Sequence, residues 1–357
     1  MSEKKIIVFY YPDMYVGGVE MAIINLAKRI YKDYSLYFFY HSVVNLELAK
    51  ELAKYGIPMN ITSVPENFTF DCDILVYCSL WLERDNHQSF IKAKQKFLWS
   101  HAMVPPLGGT KFYNLPFVRT LDRMISVSKA ADNTIPKHIH PKKLANRYYV
   151  INNIVNADDI KEKAKEETPV LDLAKDLNIV TVARISQEKG WKRIKVLADI
   201  LNKRNIDWHW YIIGEGYVPE QVDEAHMLLD EYPQITFLGK KMNPFPIVKQ
   251  MDYLALLSDF ESWGLAITEA KILGVPPIVS NFPSAFEQVE DNVNGVIIPL
   301  NAYGLYEKAV DKIIANKDKY RKALEDFDYE ENNQKIVTKW KQLFEADRTD
   351  DIKESGE

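Results

Sequence analysis

Short apolar runs of strand type alternate with segments whose apolar residues recur at helical spacing, and the alternation runs twice along the chain. Lys5 to Tyr11 is the first run; the loop PDMYVGG follows it, and VEMAIINLAKRI then repeats apolar residues with helical period. YSLYFFYH, a helix over Leu46 to Tyr55, ILVYCS, KFLWSH, RMISVS and YYVINNIV continue this series. A second one runs through NIVTVARI, WKRIKVLADILNKR, WHWYIIGEG, VDEAHMLLDEY, ITFLG, PFPIVKQM, DYLALLS, LAITEAKILG, PPIVS and GVIIPL. Strands joined through helices pair as parallel neighbours, with the helices covering both faces of the sheet. The expectation is an α/β chain of two Rossmann-like, doubly wound domains. A length of 357 residues suits two domains of about 150 each, and the charged stretch ADDIKEKAKEETPVLDLAKDL is the expected junction. The boundaries read as 1–156, 157–331, and a terminal piece, 332–357, with a helix over Asn332 to Ala346 and an acidic tail. Such sheets bind ligands beyond the carboxyl ends of their strands, so a central cleft faced by both domains is the expected site.

Composition narrows the function classes. With 47% hydrophobic and 27% charged residues the chain has a folded composition rather than a disordered one. Stretches such as YSLYFFY and YLALL fall short of the roughly 20 apolar residues of a membrane span. The start MSEKKIIVFYY holds fewer apolar residues than the roughly 7 to 15 of a secretory leader, so the expected location is cytoplasmic. Cys72 and Cys78 form no CxxC pair and are expected to be strand-core thiols. The net charge of −5 hides an asymmetry: residues 1–150 carry 19 Lys and Arg against 13 Asp and Glu, and the remainder 26 against 37. A basic first half can face anionic lipid or an anionic substrate, though a solvated surface accounts for it equally well. The candidate contacts are Lys92, Lys94 and Lys96, which in a helix would spread around the surface, and Lys111, Arg119 and Arg123, the last two one helical turn apart.

Several residue patterns can carry chemistry. Glu261 and Glu269 lie eight positions apart in SDFESWGLAITEAKILG, the first in a loop and the second about two turns inside the expected helix. The free N–H groups of Gly264 and Leu265 would point from that helix end toward an anion such as a diphosphate, and Glu269 can accept two ribose hydroxyls. In VARISQEKGW, Arg184 and Lys189 follow a strand, where two cations can neutralise a departing diphosphate. Gly17 and Gly18 open a helix after the first strand, a phosphate or sugar cradle or simply a tight turn. His101 ends the strand KFLWS and can orient an acceptor hydroxyl or be structural. His138, His140 and His226 have no ligand spacing. IIGEG lacks the third glycine of a dinucleotide fingerprint, no GxxxxGK[ST] loop occurs, DCD at 71–73 reads as a turn leading into a strand, and nothing suggests a nucleic-acid groove.

From Val8 to about Pro299 these motifs resemble the retaining, GT-B fold glycosyltransferases of family four, which include many bacterial polysaccharide and lipid-linked glycan transferases. VARISQEKG is similar to the family's diphosphate loop, and WYIIGEG and ITFLGKKMNPFPIVKQMDYLALLSDFESWGLAITEA to its donor-binding run. Glu261 and Glu269 match its two glutamates separated by seven residues; VGGVE matches its glycine loop and FLWSHAM its strand ending in histidine. ISVSKA and VINNIVN match the segments before the junction, although Asn152-Asn153 replaces the usual asparagine-glycine and SNFPSAFEQV lacks the usual glycines. The resemblance implies front-face transfer of a hexose or N-acetylhexosamine from a nucleotide-sugar donor, UDP-linked, to a glycan or lipid-linked acceptor, with no metal and no other cofactor. A soluble acceptor, or a non-catalytic partner subunit, is the alternative. The implied catalytic residues are His101, Arg184, Lys189 and Glu261. The implied donor-binding set is Gly17, Gly18, Arg184, Lys189, Glu261, Ser262, Trp263, Gly264, Leu265 and Glu269. The last helix should cross back onto the first domain, and contact with an anionic membrane should be peripheral.

Overall fold

The computed structural model describes residues 3–11, 17–40, 46–61, 68–79, 89–101, 115–134, 147–167, 170–216, 225, 227–228, 230–325 and 327–347. The chain divides into two compact units, Met1–Ile154 with Glu331–Glu357, and Val155–Glu330.

The first unit holds β1 (Ile6–Tyr11), α1 (Gly18–Ile30), β2 (Ser35–Tyr40), α2 (Leu46–Ala53), β3 (Met59–Ile61), β4 (Phe70–Tyr77), β5 (Ile91–Ser100), α3 (Leu115–Val118), β6 (Arg123–Ser126), α4 (Lys129–Asn133) and β7 (Tyr148–Val150). Its strands, seven among the described residues, are parallel in the order β3-β2-β1-β4-β5-β6-β7. Val8, Tyr10, Leu75, Tyr77 and Leu98 pack together in one cluster of this unit. The unit is completed by the last helix among the described residues, α11 (Tyr329–Glu345). Trp340 meets Trp99 edge-on at 4.7 Å between ring centroids, and Phe344 lies parallel to Phe97 at 6.1 Å.

In the second unit α5 (Ala157–Lys163) precedes β8 (Leu177–Val182), α6 (Trp191–Lys203), β9 (Trp208–Ile213), β10 (Ile235–Gly239), α7 (Phe245–Val248), β11 (Tyr253–Leu256), α8 (Leu265–Ile272), β12 (Pro277–Ser280), β13 (Val296–Ile298), α9 (Tyr306–Ala315) and α10 (Lys317–Lys322). These strands are parallel as well, in the order β10-β9-β8-β11-β12-β13. Along β9, Trp208, Trp210 and Ile212 enter one buried cluster while Tyr211 and Ile213 enter another. Both faces are therefore covered, which is why these strands read as near-continuous apolar runs. Strand order reverses direction between β8 and β11, a topological switch point where the flanking loops part and leave room for a ligand.

The structure corrects several local expectations. Asp71 to Asp73 lie within β4 rather than in a turn before it; Asp73 accepts the Ile6 amide at 2.8 Å and pairs with Lys94 at 2.7 Å. Lys92, Lys94 and Lys96 lie on β5, where alternate residues share a face, so they do not spread around a helix. Arg119 follows α3, whereas Arg123 is buried at the start of β6, so the two do not share a helix turn. The final helix starts at Tyr329, ahead of the expected Asn332. Cys72 and Cys78 are buried, and burial pushes the Cys72 thiol up to about 12. Lys111, His138, His140 and His226 lie outside the described residues.

Candidate functional site at the switch point of the second sheet

The loops after β8 and β11 meet at the switch point, and a glycine makes the meeting possible. Gly190 caps α6 at φ +77°, and a Cβ on it would run into the Leu257 carbonyl oxygen, so only glycine allows the two loops to approach this closely. The Asp259 amide donates to the Glu188 carbonyl at 2.7 Å. Buried Arg193 donates to the Leu257 carbonyl at 2.8 Å and pairs with Asp259.

Within this frame Lys189 and Glu261 form a direct ion pair at 2.7 Å, their side chains 11% and 15% exposed. The Ser258 hydroxyl also donates to Glu261, at 2.6 Å. Both bonds fall on Oε1, so Oε2 keeps its capacity to accept a hydrogen bond from a ligand. Arg184 is different: its side chain is 70% exposed and stands 3.7 Å from Glu188. Burial alone would raise the Glu188 carboxyl, but the Ser186 hydroxyl and the Lys189 and Arg184 charges hold it below the usual range.

The sequence places Glu261 and Lys189 in separate roles; the structure puts them in contact. Glu261 shares a segment with Ser262 and Trp263, and Gly264 caps α8 at φ +84° with no side-chain cap. The first N–H groups of a helix have no partner within it and carry partial positive charge. Leu265 opens the helix and Glu269 is its fifth residue, so Glu269 lies little more than one turn inside, not two. Burial raises its carboxyl to about 7, against the nearby Lys163 charge.

Gly17, Gly18 and His101 belong to the first unit. Gly17 caps α1 at φ −156°, an extended conformation open to any residue, but a Cβ would lie 2.9 Å from Glu20 Oε2. That carboxylate places negative charge at the helix end, a setting better suited to hydroxyl groups than to phosphate. His101 follows β5 with its ring 4.6 Å from that of Trp99, and burial lowers its pKa to about 3. It is therefore a neutral imidazole at ordinary pH, able to hydrogen-bond but not to supply positive charge.

Sequence reasoning missed Ser258, Arg193, Asp259, Ser284 and Gln288. Ser284 donates to the Glu261 carbonyl at 2.7 Å, and Gln288 donates to the Trp263 carbonyl. The only signal was the absence of glycines from SNFPSAFEQV. Among the described residues no His, Cys, Asp and Glu cluster could hold a metal ion, and no helix is long and apolar enough to cross a membrane.

HepE from Anabaena, solved with UDP and glucose, superposes with a TM-score of 0.72 over 95% of this chain and all of HepE, at 16% identity. Staphylococcus aureus TarM, solved as a mutant with Fondaparinux, alpha-GlcNAc-glycerol and UDP, gives 0.71 over 96% of this chain and all of TarM, at 14% identity. The fold is GT-B. Residues 162–330 of this GT-B chain match the family model of glycosyl transferases group 1, a span that contains every switch-point residue described above. An uncharacterized glycosyltransferase of Haemophilus influenzae is 25% identical over 255 residues, 68% of each chain. The lipopolysaccharide 1,6-galactosyltransferase of Salmonella typhimurium is 27% identical over 145 residues, 39% of this chain and 40% of the relative.

Proposed function

We propose that this chain is a retaining glycosyltransferase that moves a hexose or N-acetylhexosamine from a UDP-sugar to a glycan or lipid-linked acceptor in cell-surface polysaccharide synthesis. The observation that carries the reading is the half-buried Lys189–Glu261 pair beside the glycine-capped start of α8. A cation, a helix end and a carboxylate with an accepting oxygen match the three parts of such a donor: diphosphate, its leaving charge, and sugar hydroxyls. The group 1 family match over residues 162–330, and relatives and structural neighbours whose names or ligands point to polysaccharide chemistry and to UDP, support the same reading.

In the proposed reaction the bond between the sugar C1 and the diphosphate oxygen breaks as the acceptor oxygen bonds C1 on the same face. The acceptor proton passes to the departing diphosphate oxygen. Lys189, Arg184 and the α8 amides stabilise the charge that builds on that oxygen, so the protein contributes positioning and electrostatics. Glu261 accepts from hydroxyls of the sugar and Glu269 from the ribose; of the first unit's residues, the neutral imidazole of His101 is assigned to the acceptor hydroxyl and Gly17 and Gly18 to sugar binding. No metal is needed in this scheme. The reaction takes place on the cytoplasmic side, with peripheral attachment to anionic lipid where the acceptor is lipid-linked.

Calorimetric titration with UDP tests the site. Replacing Arg184 and Lys189 together by Ala should weaken UDP at least about tenfold, or about 1.4 kcal/mol, and both binding and transfer should survive excess EDTA. Unchanged affinity in the folded double variant would reject the site, and loss of transfer restored by Mn²⁺ would reject the metal-free scheme.

A further inference from the structure

Three buried side chains on one segment grip three backbone carbonyls of the loop that carries Glu261. The Ser280 hydroxyl, at the end of β12, donates to the Ser258 carbonyl. Four residues on, the Ser284 hydroxyl donates to the Glu261 carbonyl at 2.7 Å. Four further, the Gln288 amide donates to the Trp263 carbonyl. Ser280 and Ser284 are 0% exposed and Gln288 is 8% exposed, so water does not compete for these bonds.

Gln288 is itself fixed from two sides. Its side-chain oxygen accepts from the Thr268 hydroxyl at 2.7 Å, which leaves the amide nitrogen as the donor toward Trp263. Its backbone carbonyl accepts from Lys271 Nζ at 2.6 Å. Thr268 and Lys271 lie on α8, so the clasp joins the helix that follows the loop to the segment that holds it.

We propose that Ser280, Ser284 and Gln288 are positioning residues of the donor site. They act through the Ser258–Trp263 backbone, setting the Glu261 carboxylate and the start of α8 before a ligand arrives. Loops at ligand sites are ordinarily among the least stable parts of a fold; here side-chain donors replace the mobility that a glycine-rich segment would permit. The inference rests on the reading of this site as a nucleoside diphosphate sugar site. It places the geometric control of that site in the very segment, SNFPSAFEQV, whose lack of glycines sets it apart.

The test combines Ser284→Gly with Gln288→Met. The first change removes only a hydroxymethyl group, and the second keeps side-chain length without hydrogen-bonding groups. Hydrogen exchange, read by mass spectrometry, should rise in residues 258–266 of the double variant and remain at the parent level in β8 and β9. UDP should bind about tenfold more weakly, while uridine monophosphate, which lacks the β-phosphate, should change by less than about threefold. UDP affinity equal to that of the parent, or equal weakening of both ligands, would overturn the positioning role. If the parent protein binds neither UDP nor GDP, the functional reading fails and this inference falls with it; loop exchange then still shows whether the clasp restrains the segment.

Discussion

At the scale of single residues the decisive feature is a carboxyl group at odds with its surroundings. Glu269 is pushed up to about 7 by burial, from an ordinary value of 4.5, so the folded protein holds a proton that the unfolded chain releases. Stability contributed by this residue therefore falls as pH rises from about 4.5 to about 7 and stays low above that. Glu269→Gln should be about 1 to 3 kcal/mol more stable than the parent at pH 8, with the gap closing toward pH 5, while UDP affinity drops. Thermal denaturation across pH checks this, and a variant less stable at pH 8 would contradict it. Both glutamates were legible in the sequence because their spacing survives any folding of the loop. The contact of Lys189 with Glu261 was not, because it joins two loops 72 positions apart, and only the β8–β11 adjacency brings them together. Ser284 and Gln288 were illegible for a related reason: they act on backbone carbonyls, which leave no mark in the sequence.

At the scale of elements, period told strands from helices wherever the apolar run was long, and failed where charge interrupted it. Lys92, Lys94 and Lys96 looked like a helical surface because polar residues dominate that half of β5; pairing with β4 decides the matter. Arg123 looked like a surface cation and is instead buried against Phe97, its guanidinium 5.3 Å from the ring centroid. It donates to the Leu343 carbonyl at 2.9 Å and to the Asp347 carbonyl at 2.8 Å, at the carboxyl end of α11. Lys5 and Gln95 reach the same helix end, donating to Phe344 at 2.9 Å and Ala346 at 3.1 Å. Positive charge there complements the helix dipole, and the side-chain donors satisfy carbonyls at the helix end. Arg123→Ala should therefore cost about 2 to 4 kcal/mol in urea denaturation, from two charge-assisted bonds and lost cover over Phe97. A loss below about 0.5 kcal/mol, the usual size of a surface substitution, would show that the remaining donors hold the helix alone.

At the scale of the whole molecule, the doubly wound architecture of both halves followed from strand–helix alternation, whereas the charge asymmetry needed the structure to be weighed. Of the six cations singled out for lipid, Lys111 lies outside the described residues, Arg123 is buried, and Lys94 is paired with Asp73. Lys92, Lys96 and Arg119 remain, worth roughly 3 kcal/mol together at about 1 kcal/mol each. Attachment of that size should be seen in co-sedimentation with anionic vesicles at low salt and weaken steadily toward physiological ionic strength, where the field reaches only about 8 Å from the surface. Equal recovery on neutral vesicles would refute an electrostatic contact. The return of the chain to its first unit carries a different consequence, one that concerns the order of events on the ribosome. The polypeptide leaves the first sheet at Ile154 and comes back at Glu331. Until that last piece emerges, the Phe97 and Trp99 face lacks the Phe344 and Trp340 rings that pack on it, although every residue of the second unit has already been made. The half that is synthesised first must then be finished last, and the newborn protein passes through a stage at which a folded neighbour shares the chain with an aromatic face still short of its last helix, the kind of surface that chaperones recognise and that aggregation exploits.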